Sequence, residues 1–293
     1  MRLLEYIKLN AKYFLSLPKY LSTKREVKIM SIEETLEYMK QPGNCIVRFG
    51  DGEFAVLDGC HLANYQEYDA ELQVQLARAV NATNMPNLLV CMPETLLGLK
   101  SFVNRSRKIW TINFAKNSAS YIKYIDNKYL YGNSFVSRPY MIYKDKEKSK
   151  LWFESFRDVF RGKDIVLVEG RYSRNGVGND LFSEVNSIRR ILCPNTNAFA
   201  KYDEILKTVL QANKSDLILL AVGPTSKPLA LALAERGYWA LDIGHIDSEY
   251  EWYLKRAETK IDIPFKHTAE KSDDKIENCI DQSYIDSIIA TIE

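Results

Sequence analysis

Two carboxylates stand one residue apart in Arg48-Phe49-Gly50-Asp51-Gly52-Glu53, directly after the apolar run Cys45-Ile46-Val47. A short β-type run feeding a turn with a glycine on each side of an acid holds two negative groups at a strand end. Glycine tolerates backbone angles that other residues resist, so both carboxylates can converge on one point. Hard divalent cations take oxygen ligands of this kind, usually one or two carboxylates together with substrate phosphates. The plainer reading of the same residues is an exposed acidic turn, because Asp-Gly is a common turn dipeptide.

Other segments carry compatible chemistry. Gly223-Pro224-Thr225-Ser226 precedes the helical stretch Leu229-Ala230-Leu231-Ala232-Leu233. Amide groups at a helix start with a hydroxyl beside them make an anion site, and Thr225 or Ser226 can equally be a simple cap. Arg171 and Arg174 flank the glycine-bearing stretch 169–180, and their guanidinium forks suit phosphate oxygens. Arg48 lies in an otherwise apolar strand, so its charge requires a carboxylate or phosphate partner. His245 sits in a glycine-flanked loop with Asp242 and Asp247 close by, where an imidazole can act as general base or metal ligand. His61 and His267 have no comparable setting. Gly176-Val177-Gly178 is half a dinucleotide fingerprint, but Asn179-Asp180 follow in place of the third glycine. No GxxxxGK[ST] segment exists, which excludes an ATPase-type phosphate loop.

The elements that must position these loops alternate along the chain. Helical periodicity marks Ser31 to Met39, Ala70 to Val80, Lys148 to Phe160, Tyr202 to Ala212, Pro228 to Arg236 and Tyr284 to Ile292. Between them lie apolar runs at 45–47, 88–90, 165–168, 188–192, 217–222 and 239–243. Several are apolar throughout, as strands covered on both faces must be. The expectation is an α/β fold with a Rossmann-like, mostly parallel sheet flanked by helices. In such a sheet the loops after residues 47, 168, 192, 222 and 243 all emerge at the carboxyl edge, where ligands bind.

At 293 residues and 46% hydrophobic, the chain can bury a sizeable core. With 40 basic against 38 acidic residues it lacks the concentrated basic footprint of a nucleic-acid binder. Five widely spaced cysteines without a CxxC pair argue against disulfides and structural zinc, and fit a reducing cytoplasm. No run reaches the about 18 apolar residues of a spanning helix. In the first twenty residues Leu3, Leu4, Ile7, Ala11, Phe14 and Leu15 recur at helical spacing beside Arg2, Lys8, Lys12 and Lys19. Such a stripe can lie on an anionic bilayer, here the inner face of the cell membrane. It can equally pack on its own domain, or on a partner subunit in a homo-oligomer.

Taken together, these segments resemble one family. The matching stretches are 48–53, Gly132-Asn133-Ser134-Phe135-Val136-Ser137-Arg138-Pro139-Tyr140, Val168-Glu169-Gly170, 173–182, 188–198, Gly223-Pro224-Thr225, 240–247 and Glu249-Tyr250-Glu251-Trp252. The pattern is that of the bacterial GT-D-fold glycosyltransferases, and it runs from about residue 30 to about residue 257. This divides the chain into an N-terminal amphipathic segment (1–29), a GT-D-like domain (30–257) and a tail with a helix (258–293).

The resemblance implies a nucleotide-sugar transferase acting with a divalent metal, manganese foremost and magnesium as the alternative. The donor it implies is a UDP-sugar, and the acceptor a glycan on a protein or on a lipid-linked polysaccharide precursor. Asp51 and Glu53 would hold the metal. Arg48, Arg171, Arg174, Asn179, Gly223, Thr225 and Ser226 would bind the donor, and His245 or Asp247 would serve as base or diphosphate contact. Two other readings are a carboxylate-pair glycoside hydrolase and a non-catalytic nucleotide-sugar scaffold.

Overall fold

The computed structural model describes residues 3–23, 26–62, 65–267, 276 and 279–293. Among these, nine strands form one sheet: β1 (Lys28–Ile29), β2 (Cys45–Arg48), β3 (Leu88–Met92), β4 (Leu130–Asn133), β5 (Asp164–Gly170), β6 (Ser187–Cys193), β7 (Leu217–Ala221), β8 (Trp239–Asp242) and β9 (Ile288–Thr291). Their order is β1-β4-β3-β2-β8-β7-β5-β6-β9, and every pairing is parallel. The helices are α1 (Leu3–Thr23), α2 (Ile32–Lys40), α3 (Asp51–Leu57), α4 (Ala70–Val80), α5 (Asn104–Lys116), α6 (Ser118–Tyr124), α7 (Lys146–Phe160), α8 (Tyr202–Val209), α9 (Ser226–Ala234), α10 (Ile246–Leu254) and α11 (Gln282–Asp286).

The sheet separates two cores. Val166, Val168, Ile218 and Leu220 point into one, with Leu72 and Leu76 of α4 and Leu229 and Leu233 of α9. Ile165, Leu167, Leu217 and Leu219 point into the other, with Leu36 of α2, Phe153 and Phe156 of α7 and Trp252 of α10. Alternate residues of one strand thus enter different apolar layers, which is why these strands read as unbroken apolar runs.

The C-terminal segment departs from its expected helix. Tyr284, Ile285, Ile288, Ile289 and Ile292 do follow helical spacing, yet only α11 is helical and 288–291 form β9 against β6. The backbone bonds Arg190 N–H to Ser287 O (2.7 Å) and Ile292 N–H to Leu192 O (2.8 Å) clamp it there. A short apolar run fits either period, and the unpaired edge of β6 decides between them. Residues 288–291 therefore extend the sheet beyond β6.

At the other end α1 packs along α5, with Tyr20 edge-on to Phe114 at 5.4 Å. Its outward face leaves Leu4, Ile7, Phe14, Leu15 and Leu21 exposed. Among the described residues no helix is long and apolar enough to cross a membrane.

Candidate active site

Because β8 lies between β2 and β7, the loops leaving three neighbouring strands meet at the carboxyl edge of the sheet. They enclose a cavity of about 240 Å³. Its walls are residues 49–53 after β2, Gly223, Pro224 and Lys227 after β7, and Gly244, His245 and Ser248 after β8. Ser134, Phe135 and Arg138 close it from the β4 side, and Ser173 and Asn175 from the β5 side. Trp110, Leu62, Tyr65 and His267 complete the rim.

A chain of alternating charges runs beneath and into this cavity. Arg48 donates to the Asp242 backbone carbonyl from Nε (2.6 Å), to Asp242 Oδ1 from Nη2 (2.7 Å) and to Ser137 Oγ from Nη1 (2.5 Å). Lys227 Nζ reaches the second Asp242 oxygen at 3.2 Å and Glu53 Oε1 at 2.7 Å. The other Glu53 oxygen accepts the Gly50 N–H at 2.9 Å, the glutamate half of a capping box, which shapes the first turn of α3. Burial alone would push the Asp242 carboxyl up, but Arg48 and Lys227 outweigh it and hold the group below the usual aspartate value.

Asp51 has a different setting. It accepts a hydrogen bond from Asn113 Nδ2 (2.9 Å). Its surface opens at the cavity mouth, while the surrounding walls displace enough water to push its carboxyl above the ordinary value. The Glu53 charge adds to that shift and Arg138 opposes it.

Two glycines permit this packing. Gly223 has φ +58°, and a Cβ there would stand 2.3 Å from the Tyr65 ring. Gly244 has φ +47°, and its Cβ would stand 2.0 Å from Arg48 Nη2. Any other side chain would collide with a wall of the cavity and strain the backbone.

Of the residues singled out in the sequence, the fold brings Arg48, Asp51, Glu53, Gly223 and His245 to the cavity. The others stand elsewhere. Thr225 is wholly buried, and Ser226 turns inward so that its Oγ accepts the Val222 N–H (3.1 Å), so neither hydroxyl lines the cavity. Arg171 pairs with Glu293 at the surface. Buried Arg174 donates to the Phe265 carbonyl at 2.6 Å. Asp247 is buried and accepts from Gly176 N–H (2.7 Å), Asn179 Nδ2 (2.8 Å) and Lys266 Nζ (2.8 Å). Asn179 also donates to Glu251 at 2.8 Å. The loop after β5 thus spends most of its polar groups on holding itself to α10 and to the chain beyond.

Sequence reasoning missed Lys227, Arg138 and His267. Lys227 was findable, since a lone cation in the apolar stretch 226–234 poses the same question as Arg48. Arg138 lies within one of the quoted motifs, whereas nothing local distinguishes His267.

Among the described residues no group of three or more His, Cys, Asp or Glu forms a complete protein cage for a metal ion. The available donor set is the Asp51/Glu53 pair, a size that a hard cation completes with phosphate oxygens and water.

The chain matches the glycosyltransferase GT-D fold model over residues 46–271. It is 39% identical over 269 residues to a probable glycosyl transferase Gly of Streptococcus gordonii, covering 92% of this chain and 39% of that protein. It is 40% identical over 274 residues to glycosyltransferase GlyD of Streptococcus pneumoniae serotype 4, covering 91% of this chain. The chain spans only 39% and 33% of the lengths of these two curated relatives. Among solved structures it resembles a domain of unknown function 1792 described as having a distinct glycosyltransferase fold. That likeness has a TM-score of 0.90 at 42% identity, over 94% of this chain and 100% of the other. A new glycosyltransferase of the same domain class from Streptococcus sanguinis superposes with a TM-score of 0.87 at 38% identity, covering 91% and 100%. On the family model and these relatives, the chain belongs to the glycosyltransferase GT-D fold family.

Proposed function

We propose that this cavity transfers a hexose from a nucleotide diphosphate sugar, a UDP-sugar first among them, to a glycan acceptor on a protein or a lipid-linked polysaccharide precursor. The observation that carries the reading is one small cavity lined by the Asp51/Glu53 pair together with Arg48, Arg138 and Lys227. Sugar transfer breaks the bond between the anomeric carbon and a diphosphate oxygen, so negative charge collects on the leaving diphosphate. Preorganised cations at that point lower the barrier.

The carboxylate pair fits a divalent cation, manganese or magnesium. Asp51 would hold it most directly, because both Glu53 oxygens are engaged by Lys227 and Gly50. When bound, such an ion supplies Lewis-acid stabilisation of the diphosphate oxygens. Arg138 faces the same region from the β4 side, and Arg48 and Lys227 hold Glu53 and Asp242 in register. As the acceptor hydroxyl attacks the anomeric carbon it loses a proton, and His245 on the cavity wall is the side chain suited to take it.

The ties on Glu53 also weigh against the hydrolase reading, in which two carboxyl groups must flank the sugar as free acid and base. A panel of nucleotide sugars with manganese or magnesium tests the proposal by thermal shift and slow donor hydrolysis. One donor class is expected to raise the melting temperature only with metal and to be slowly hydrolysed. A silent panel would end the proposal. Metal-dependent binding without turnover on any acceptor would favour the scaffold reading.

The outward face of α1 supports a peripheral membrane location for this reaction. Ile7, Phe14 and Leu21 recur every seven residues, with Leu4 and Leu15 beside them and Lys8, Lys12 and Lys19 along the border. That is the pattern of a helix lying in an anionic interface. Co-sedimentation with phosphatidylglycerol vesicles is expected for the wild type, and a several-fold loss for Phe14→Glu/Leu15→Glu. Equal sedimentation of both proteins would remove the membrane from the proposal.

A further inference from the structure

The chain contains three histidines, and two of them, His245 and His267, line the same cavity. His245 arrives directly from β8. His267 arrives by a detour, since the chain leaves α10 at Leu254 and returns to the rim at His267.

That return is tied down at every stage. Trp252 Nε1 donates to the Ile261 carbonyl at 3.0 Å, and Ile263 is packed into the core. Arg174 holds the Phe265 carbonyl at 2.6 Å, and the His267 N–H donates to the Tyr172 carbonyl at 2.7 Å. Between these ties, Lys266 Nζ is buried against Asp247 (2.8 Å) and Glu251 (3.1 Å). A buried ion triad stabilises a fold no better than well-packed apolar side chains would, and its best-attested use is to impose one register. Here the register it imposes determines which residue of the segment reaches the cavity.

We propose that His267, the second imidazole of the cavity, contacts the diphosphate of the donor, and that Lys266, gripped by Asp247 and Glu251, is the positioning residue that fixes it there. The inference rests on the reading of the cavity as a nucleotide-diphosphate-sugar site. An imidazole N–H on the rim can donate to a phosphate oxygen held in the cavity that Asp51 and Glu53 also line. The buried carboxylate of Asp247 then acts on the donor indirectly, through Lys266 and His267.

With three histidines, selective isotope labelling makes each imidazole separately readable by NMR, with His61→Gln, His245→Gln and His267→Gln for assignment. The labelled protein is titrated with UDP, GDP, CDP and ADP in the presence of magnesium. The nucleotide that moves the His245 signals is expected to move those of His267 and to leave His61 still. His267→Gln is expected to weaken that nucleotide's binding about tenfold with an unchanged melting temperature. Lys266→Met is expected to abolish the His267 response and retain that of His245. Should Lys266→Met fail to fold, Lys266→Arg carries this arm, because it keeps the charge and changes the geometry.

Movement at His245 with none at His267, or unchanged affinity in His267→Gln, would overturn the contact. An unaltered His267 response in the lysine variant would overturn the positioning role. Silence at both histidines with every nucleotide would overturn the donor reading itself, and this inference with it.

Discussion

Two acidic pairs in this protein are each answered by one buried lysine, and they sit within reach of the same cavity. Asp51 and Glu53 begin α3, with Lys227 bonded to Glu53. Asp247 and Glu251 lie on α10, with Lys266 bonded to both. The first pair lines the cavity, while the second is turned into the protein and laces a loop to a helix. The same chemistry therefore lines a cavity in one place and makes a scaffold in the other. What differs is exposure: Asp51 keeps a face toward solvent and the cavity, whereas Asp247 has its oxygens filled by donors of the protein.

The largest expected effect separating the two pairs is on catalysis. Asp51→Ala/Glu53→Ala should lower metal-dependent transfer on the order of 1,000-fold, the equivalent of several kcal/mol of lost charge stabilisation. Its melting temperature should fall only modestly, through loss of the Glu53 cap. Full transfer by a folded double variant would break the distinction between the pairs.

The next effect is on stability and runs the other way. Lys266→Met leaves the buried Asp247 carboxylate without its cation, while Glu251 keeps Lys255 at 2.8 Å, and should cost about 3–5 kcal/mol in urea unfolding. Lys227→Met should cost clearly less, since Asp242 retains Arg48 and Glu53 stands at the cavity. Equal costs, or the reverse order, would mean that the Asp51/Glu53 pair is as structural as the other.

The smallest effect concerns the Asp51 charge. Its carboxyl is held above the ordinary aspartate value in the folded protein, so the folded state binds the proton more tightly than the unfolded chain. Stability is then lost as pH rises from the ordinary aspartate value through the folded one, and the full penalty is present at neutrality. Asp51→Asn should raise the melting temperature at pH 7, and the gain should vanish well below the ordinary aspartate value. A variant less stable than wild type at pH 7 would show that the charged form is favoured where it sits.

Much of this was legible in the residues. The apolar runs at 165–168 and 217–222 named their strands, because a strand covered on both faces has no polar side to show. The Gly-Asp-Gly-Glu turn and the cation at Arg48 were legible for a related reason, since groups so costly to misplace stand out against an apolar strand. The alternation of elements announced which edge would carry the cavity. Legibility failed where a segment's own pattern fitted two outcomes. Residues 284–292 have helical spacing and form a strand, because β6 offered an unpaired edge.

It failed again along 171–180, whose arginines and Asn179 suit a phosphate equally well but are claimed by Glu293, Phe265 and α10. His267 gave no local sign, because its place depends on Lys266 finding two carboxylates on a helix that precedes it in the chain. Composition and periodicity thus determined the layers, the direction of the sheet and the turn that holds the acids, all of which follow from burial and backbone geometry over a few residues. Which polar groups face the cavity and which are used up inside the protein was decided only by tertiary packing, because a hydrogen-bonding group goes to whichever partner the folded chain brings within 3 Å.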